Sequence, residues 1–183
     1  IDQPTERYVL TAFTYGCNLG PAQAARHLRG AASAHMLSFV NRRHVDANKL
    51  AAACRDIINS YAGLQLPKFW GDGKRAAADG TKYDLYDQNL LASYHIRYGG
   101  YGGIAYHHVS DTYVALFSHF IPCGVWEAVY IIDGLLKNTS DIQPESVHAD
   151  TQGQSLPAFG LSHLLCIQLM PRIRNWRDYR FFR

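Results

Sequence analysis

The sequence predicts a mixed α/β chain, a sheet flanked by helices and preceded by a small all-helical region. Apolar residues recur at helical spacing through residues 5–62. A connector rich in glycine and proline follows at residues 63–75. Beyond it, β-branched and aromatic residues become dense, and the segment closes in strand–helix–strand order.

Leu10 and Phe13 give the first helix a short apolar face. Pro21 stands where a helix starts, since its fixed φ suits the first turn and its missing N–H is not needed there. Ala22 to Leu28 continue that helix, and Gly30 stops it. Met36, Leu37 and Val40 mark a third helix. Asp46 is placed to cap a fourth, on which Leu50, Cys54, Ile57, Ile58 and Tyr61 are spaced for one buried face. Short helices around Gly30 fit a helix-turn-helix or a plain helical bundle, and pattern alone favours the bundle.

In the connector, Gly63, Pro67, Gly71, Asp72 and Gly73 break regular structure. Ala76 to Ala78 suit a tightly packed strand. Tyr98 to Gly103 is expected to be a glycine-rich loop; it lacks the spacing and the lysine of a nucleotide fingerprint. Tyr106 to Val109 and Thr112 to Ile121 are expected as antiparallel strands turning at Ser110-Asp111. Val125, Val129, Ile132 and Leu136 repeat as a helix does. Ser146 to Asp150 is a short strand, Leu156 to Leu165 a helix, and Ile167, Leu169 and Ile173 alternate as a strand. Pro171 confines that last strand to an edge or an end. The closing strand–helix–strand implies a parallel pair with a right-handed crossover.

Composition narrows the classes. Of 183 residues, 48% are hydrophobic and 18% charged, which describes a folding chain. A formal charge of +3 permits nucleic-acid binding without announcing it. The last twelve residues concentrate Arg172, Arg174, Arg177, Arg180 and Arg183 against Asp178 alone. Cys17, Cys54, Cys123 and Cys166 form no CxxC motif and sit among apolar residues, so buried free thiols are expected. No apolar run is long enough to span a membrane, and no signal peptide is present. A chain that opens on Ile1 and ends on Phe-Phe-Arg is expected to be a piece of a longer one.

Two acids stand out. Asp150 ends a predicted parallel strand before the polar Thr151-Gln152-Gly153, where ligands gather in open α/β sheets; it is equally placed to cap a helix near Ser155. Asp79 follows Ala76–Ala78, but Asp79-Gly80 is also a hairpin-turn signal. If the strand of Asp79 pairs in parallel with that of Asp150, the two carboxylates meet. Apposed carboxylates repel, so such a pair needs a cation, and hard oxygen ligands select Mg²⁺ or Mn²⁺. Two such ions, roughly 3.5–4 Å apart, serve phosphoryl transfer. His107 and His108 point to opposite faces of a strand and cannot chelate one ion together. His148 shares a strand face with Asp150. Ser155 lacks a nucleophile elbow. Asp84, Asp87, Asp111 and Asp133 suit surface or capping roles, and Trp70, Trp126 and Trp176 suit core or interface anchors better than base stacking.

Several stretches taken together resemble one family. They are Tyr15 to Gly20, Asn41 to His44, Leu66 to Gly71, Ala78 to Thr81, Ile96 to Gly103, Val109 to Asp111, Asp133 to Leu136, His148 to Gly153 and Pro171 to Arg174. In order, and over nearly the whole chain, they resemble the large replicative transposases of the Tn-three family. The resemblance implies a partial RNase H-like fold: residues 1–66 a helical scaffold, and residues 67–183 the N-terminal part of a catalytic domain with a DDE acidic triad. It matches Asp79 to the first acid and Asp150 to the second. The third, a glutamate on a later helix, lies beyond Arg183; Glu145 and Asp178 are wrongly placed for it. A segment lacking that acid is expected to cleave nothing alone.

The resemblance further implies Mg²⁺ or Mn²⁺ in a two-metal arrangement, nicking at transposon ends, and attack of the freed 3′ hydroxyl on target DNA. Its implied partners are DNA and further copies of the full-length protein, in the bacterial cytoplasm at the nucleoid, with no membrane. Lys82, Arg97, Arg172 and Arg174 are the expected phosphate contacts. The alternatives are another RNase H-like metal-dependent nuclease, or a non-catalytic module that binds DNA or dimerises.

Overall fold

The structure is a computed structural model describing residues 2–96, 99–178 and 180. The chain gathers into two compact units, residues 1–54 and 55–183, so the division falls inside a helix, ahead of the connector.

In the first unit, α1 (Pro4–Gly16), α2 (Pro21–His27) and α3 (Ala34–His44) enclose a small core of Ala24, Ala32 and Leu37. Pro21 opens α2. Ser33 caps α3 by accepting the Met36 N–H at 3.1 Å. Thr11 and Thr14 are buried, and their hydroxyls donate to the carbonyls of Arg7 and Leu10 one turn back, at 2.7 Å each. Phe13, expected on the apolar face, is exposed.

The fourth helix, α4 (Ala47–Ala62), begins at Asp46, whose carboxylate accepts the Lys49 N–H at 3.0 Å. The expected apolar stripe is buried only at Ile58; Leu50, Cys54 and Ile57 are exposed. Its last turns meet the second unit's small core. Ile58 and Ala62 pack with Val114, Leu116 and Ile142, and the Tyr61 hydroxyl donates to the Thr112 carbonyl at 2.9 Å.

The second unit is a mixed sheet. Its centre is β1 (Arg75–Asp84), antiparallel to β3 (Gly100–Ser110) and parallel to β5 (Ser146–Ala149). β4 (Ala115–Pro122) and the short β2 (Ser93–His95) share the outer edge of β3, and β6 (Gln168–Pro171) lies parallel to β5. The order β4–β3–β1–β5–β6 is RNase H-like. α5 (Ala128–Lys137) links β4 to β5, and α6 (Leu156–Leu164) makes the crossover from β5 to β6. Ser155 caps α6 by accepting the Ala158 N–H. Pro171 ends an edge strand, where its missing N–H costs nothing.

Residues alternate across β1 as the pleat requires. Ala76 and Ala78 are buried, and Ala78 joins Ile104, Tyr106, Ile121, Ile131 and Val147 in the main core. Arg75, Ala77, Asp79, Thr81 and Tyr83 are exposed on the opposite face.

Two expectations fail. Gly100 to Gly103 are not loop but the start of β3. Gly102 and Gly103 are paired on both edges, to Asp84 and Tyr83 on one side and to Ser93 and Pro122 on the other, while Gly100 and Tyr101 pair with β2, so the stretch is held extended whatever its turn propensity. Of the cysteines only Cys123 is buried, in the main core; Cys17, just past the end of α1, Cys54, on α4, and Cys166, in the turn after α6, are exposed.

His108 and Gly134 interlock. The buried imidazole of β3 donates from Nε2 to the Ile131 carbonyl at 2.8 Å, and a Cβ on Gly134 of α5 would fall within its ring. Gly134→Ala gains about 1 kcal/mol of helix propensity but forces overpacking of roughly 1–3 kcal/mol. A net loss of about 1 kcal/mol is expected in urea unfolding. In a His108→Ala background the same change should be neutral or stabilising; equal losses in both backgrounds would refute the contact.

Burial holds the His108 pKa below its ordinary 6.5, outweighing the raising effects of the Ile131 carbonyl and Asp133. Between the lowered folded value and the unfolded value, the unfolded chain carries the extra proton. The stabilisation is therefore complete above the unfolded value and is lost as pH falls through the folded one. Urea midpoints should drop from about pH 7.5 to about pH 5, and drop less in His108→Phe. An identical pH dependence in that variant would place the effect on other groups.

Candidate active site

β1 and β5 run parallel in a register that pairs Ala77 with His148 and Ala78 with Ala149. Asp79 is the next residue of β1 after Ala78, and Asp150 follows Ala149 directly beyond the end of β5, so the register brings their backbone positions to neighbouring places on the sheet. Neighbouring strands are about 5 Å apart.

Local backbone orients each acid. Asp79 lies in mid-strand, not in a turn, and its Oδ1 accepts the Gly80 N–H at 2.8 Å. Asp150 follows the end of β5 and heads a 3-10 turn, Thr151–Gly153; its Oδ1 accepts the Gln152 N–H at 2.9 Å. Capping and site geometry thus coexist in Asp150. Each carboxylate keeps a second oxygen to offer.

Other polar groups share this face. His107 pairs with Asp79 across β3, and its Nδ1 is 2.8 Å from the Ser118 hydroxyl. His148 is exposed beside Ala77. His107 and His108 point to opposite faces, as the pleat dictates. Two hard carboxylates fit a divalent cation chemically. Among the described residues, however, no three His, Cys, Asp or Glu side chains gather to hold one, so the donor set is partial.

On the core side, Glu127 escapes sequence reasoning. It precedes α5, and its Oε2 would lie 3.0 Å from a Cβ built on Gly80. The glycine beside Asp79 therefore makes room for a third carboxylate. Tyr106, paired with Gly80 across β3, has a buried hydroxyl with no hydrogen-bond partner among the described residues. Burial raises its pKa, and the carboxylates of Asp150, Glu127 and Asp79 raise it further, so all three acids lie near this phenol. The Asp79-Gly80 pair is the one sequence signal for this crowding.

The expected phosphate contacts separate. Arg172 and Arg174 are exposed and tied to the turn at Asp150: the Arg172 N–H donates to the Ala149 carbonyl at 2.8 Å, and the Arg174 N–H to Gln154 Oε1 at 2.6 Å. Lys82 is on the opposite face of β1 from Asp79, ion-paired with Asp84 at 2.6 Å. Arg97 lies outside the described residues. Asp111 accepts the Gly73 N–H at 2.9 Å and fastens the connector to the β3–β4 turn.

The central parallel strands thus carry Asp79 within β1 and Asp150 just past the end of β5. The family model described as the Tn3 transposase DDE domain matches residues 1–183, and the chain belongs to that family. It is 32% identical over 169 residues to the transposase for transposon Tn1546 of Enterococcus faecium, covering 91% of this chain and 17% of that protein. It is 30% identical to the transposase for transposon gamma-delta of Escherichia coli (strain K12), with the same coverage of each. The chain thus spans 17% of the length of these relatives. A Mos1 transposase paired-end complex with left transposon end is similar at 12% identity and a TM-score of 0.36, over 94% of this chain and 60% of that one.

Tyr106→Phe removes a buried, unpartnered hydroxyl and should leave stability unchanged or raise it by about 1 kcal/mol in thermal unfolding. A fall of that size would show that the hydroxyl has a partner in solution.

Proposed function

We propose that this chain supplies the first two metal-binding acids, Asp79 and Asp150, of a transposase that breaks and joins DNA. The parallel register of β1 and β5 supports the proposal, because Asp79 and Asp150 directly follow its last pair, Ala78 and Ala149. When bound there, a pair of Mg²⁺ or Mn²⁺ ions supplies Lewis acidity to the attacking and leaving oxygens of an in-line displacement.

Asp79 and Asp150 would hold the cations through their carboxylate oxygens, with the backbone N–H groups of Gly80 and Gln152 fixing the orientation of each carboxylate. Arg172 and Arg174 bind flanking phosphates beside Asp150, positioning DNA without reading its bases. Arg97 joins the proposed phosphate set; Lys82, on the opposite face of β1 and ion-paired with Asp84, does not. In the whole protein, water attacks phosphorus at each transposon end and the 3′ oxygen departs with the bonding pair. The freed 3′ hydroxyl then attacks phosphorus in a target phosphodiester, and the target's own 3′ oxygen leaves with the bonding pair. A third acid from outside this chain completes the site, and self-association brings two transposon ends together. The setting is the bacterial cytoplasm; no helix among the described residues is long and apolar enough to cross a membrane.

Calorimetric titration with Mn²⁺ tests the site. Asp79→Asn and Asp150→Asn should each weaken binding about tenfold or more, as loss of a charged ligand does. Wild-type affinity in both variants would sink the assignment. Strand transfer by a longer chain carrying the third acid separates a transposase from a nuclease that only hydrolyses.

A further inference from the structure

Beside the carboxylates lies a recess with an aromatic corner. Trp70 follows the 3-10 turn Leu66–Phe69, and Tyr113 sits in the β3–β4 turn. Their rings meet edge to face, 5.4 Å apart at 86°. Tyr113 has a φ of 64°, a left-handed conformation that is strained for an aromatic residue. Its ring is 75% exposed, so core packing does not explain that strain; Trp70 is 49% exposed.

The two rings border a cavity of about 400 Å³, enough for one nucleobase. Its floor is Val109, Ala77 and His148, a single row across β3, β1 and β5. Arg75 also lines it, exposed and in no ion pair among the described residues. The carboxylate of Asp111, likewise at the cavity, is engaged by the Gly73 N–H at 2.9 Å and the Ser110 hydroxyl at 3.2 Å.

The floor row precedes Asp79 and Asp150 by two residues on their own strands and shares their face. A strand advances about 7 Å in two residues, so the recess and the acids are neighbours on one surface. Exposed aromatic faces suit a flat π-system, and Arg75 with His148 suits a phosphate. We propose that this recess stacks one unpaired DNA base next to the reacting phosphate. The proposal rests on the transposase reading above.

Anisotropy titrations of this chain with three labelled duplexes test it: one with a single unpaired nucleotide, one with an abasic residue there, and one fully paired. Wild type should prefer the unpaired base over the abasic residue about tenfold. Tyr113→Gly removes the ring while relieving the backbone, and Trp70→Leu keeps apolar bulk; each should abolish the preference while fully paired binding stays unchanged. Arg75→Gln should shallow the salt dependence for the unpaired duplex by about one phosphate contact. No preference in wild type, or a preference that survives both aromatic variants, overturns the base site and leaves a protein segment as the occupant. Failure of wild type to bind any of the three DNAs overturns the transposase reading, and the base site with it.

Discussion

The parallel register between β1 and β5 is the constraint on which the rest of this domain depends. Like charges resist being brought level on adjacent strands. Here the sheet imposes the arrangement, since β1 is hydrogen-bonded on both sides and cannot slip by one residue without exchanging its buried alanines for exposed ones. The small side chains of Ala76 and Ala78 let the strand sit under the main core. Asp79 and Asp150 are thus set by packing on the face opposite the one they occupy.

Much of this was legible in sequence because local signals and tertiary demands agree. Pro21 and Asp46 open helices through interactions that depend only on nearby residues, whereas the helix that Asp150 was placed to cap is capped by Ser155 instead. Pro171 falls at the end of an edge strand, the one kind of sheet position it tolerates. The signals that misled were those that pairing or exposure overrides. Asp79-Gly80 reads as a turn and is mid-strand, while the glycines at 100–103 read as a loop and are clamped between partners. The stripe on α4 reads as buried and is half without a partner.

The crowding on the core side of Asp79 was not legible, because it joins residues that no spacing rule connects. Glu127 approaches Gly80 from the start of a helix that follows three further strands, and Tyr106 arrives by antiparallel pairing. Composition likewise could not sort the cations: Arg172 and Arg174 are fastened at the turn of Asp150, whereas Lys82 turns to the other face.

The proline at the end of β6 has a consequence for how the sheet meets other molecules. An exposed strand edge is a template on which another chain can add itself, the route to runaway aggregation. β6 offers only four residues, and the last cannot donate a hydrogen bond. That border of the sheet is therefore a poor seat for an incoming strand.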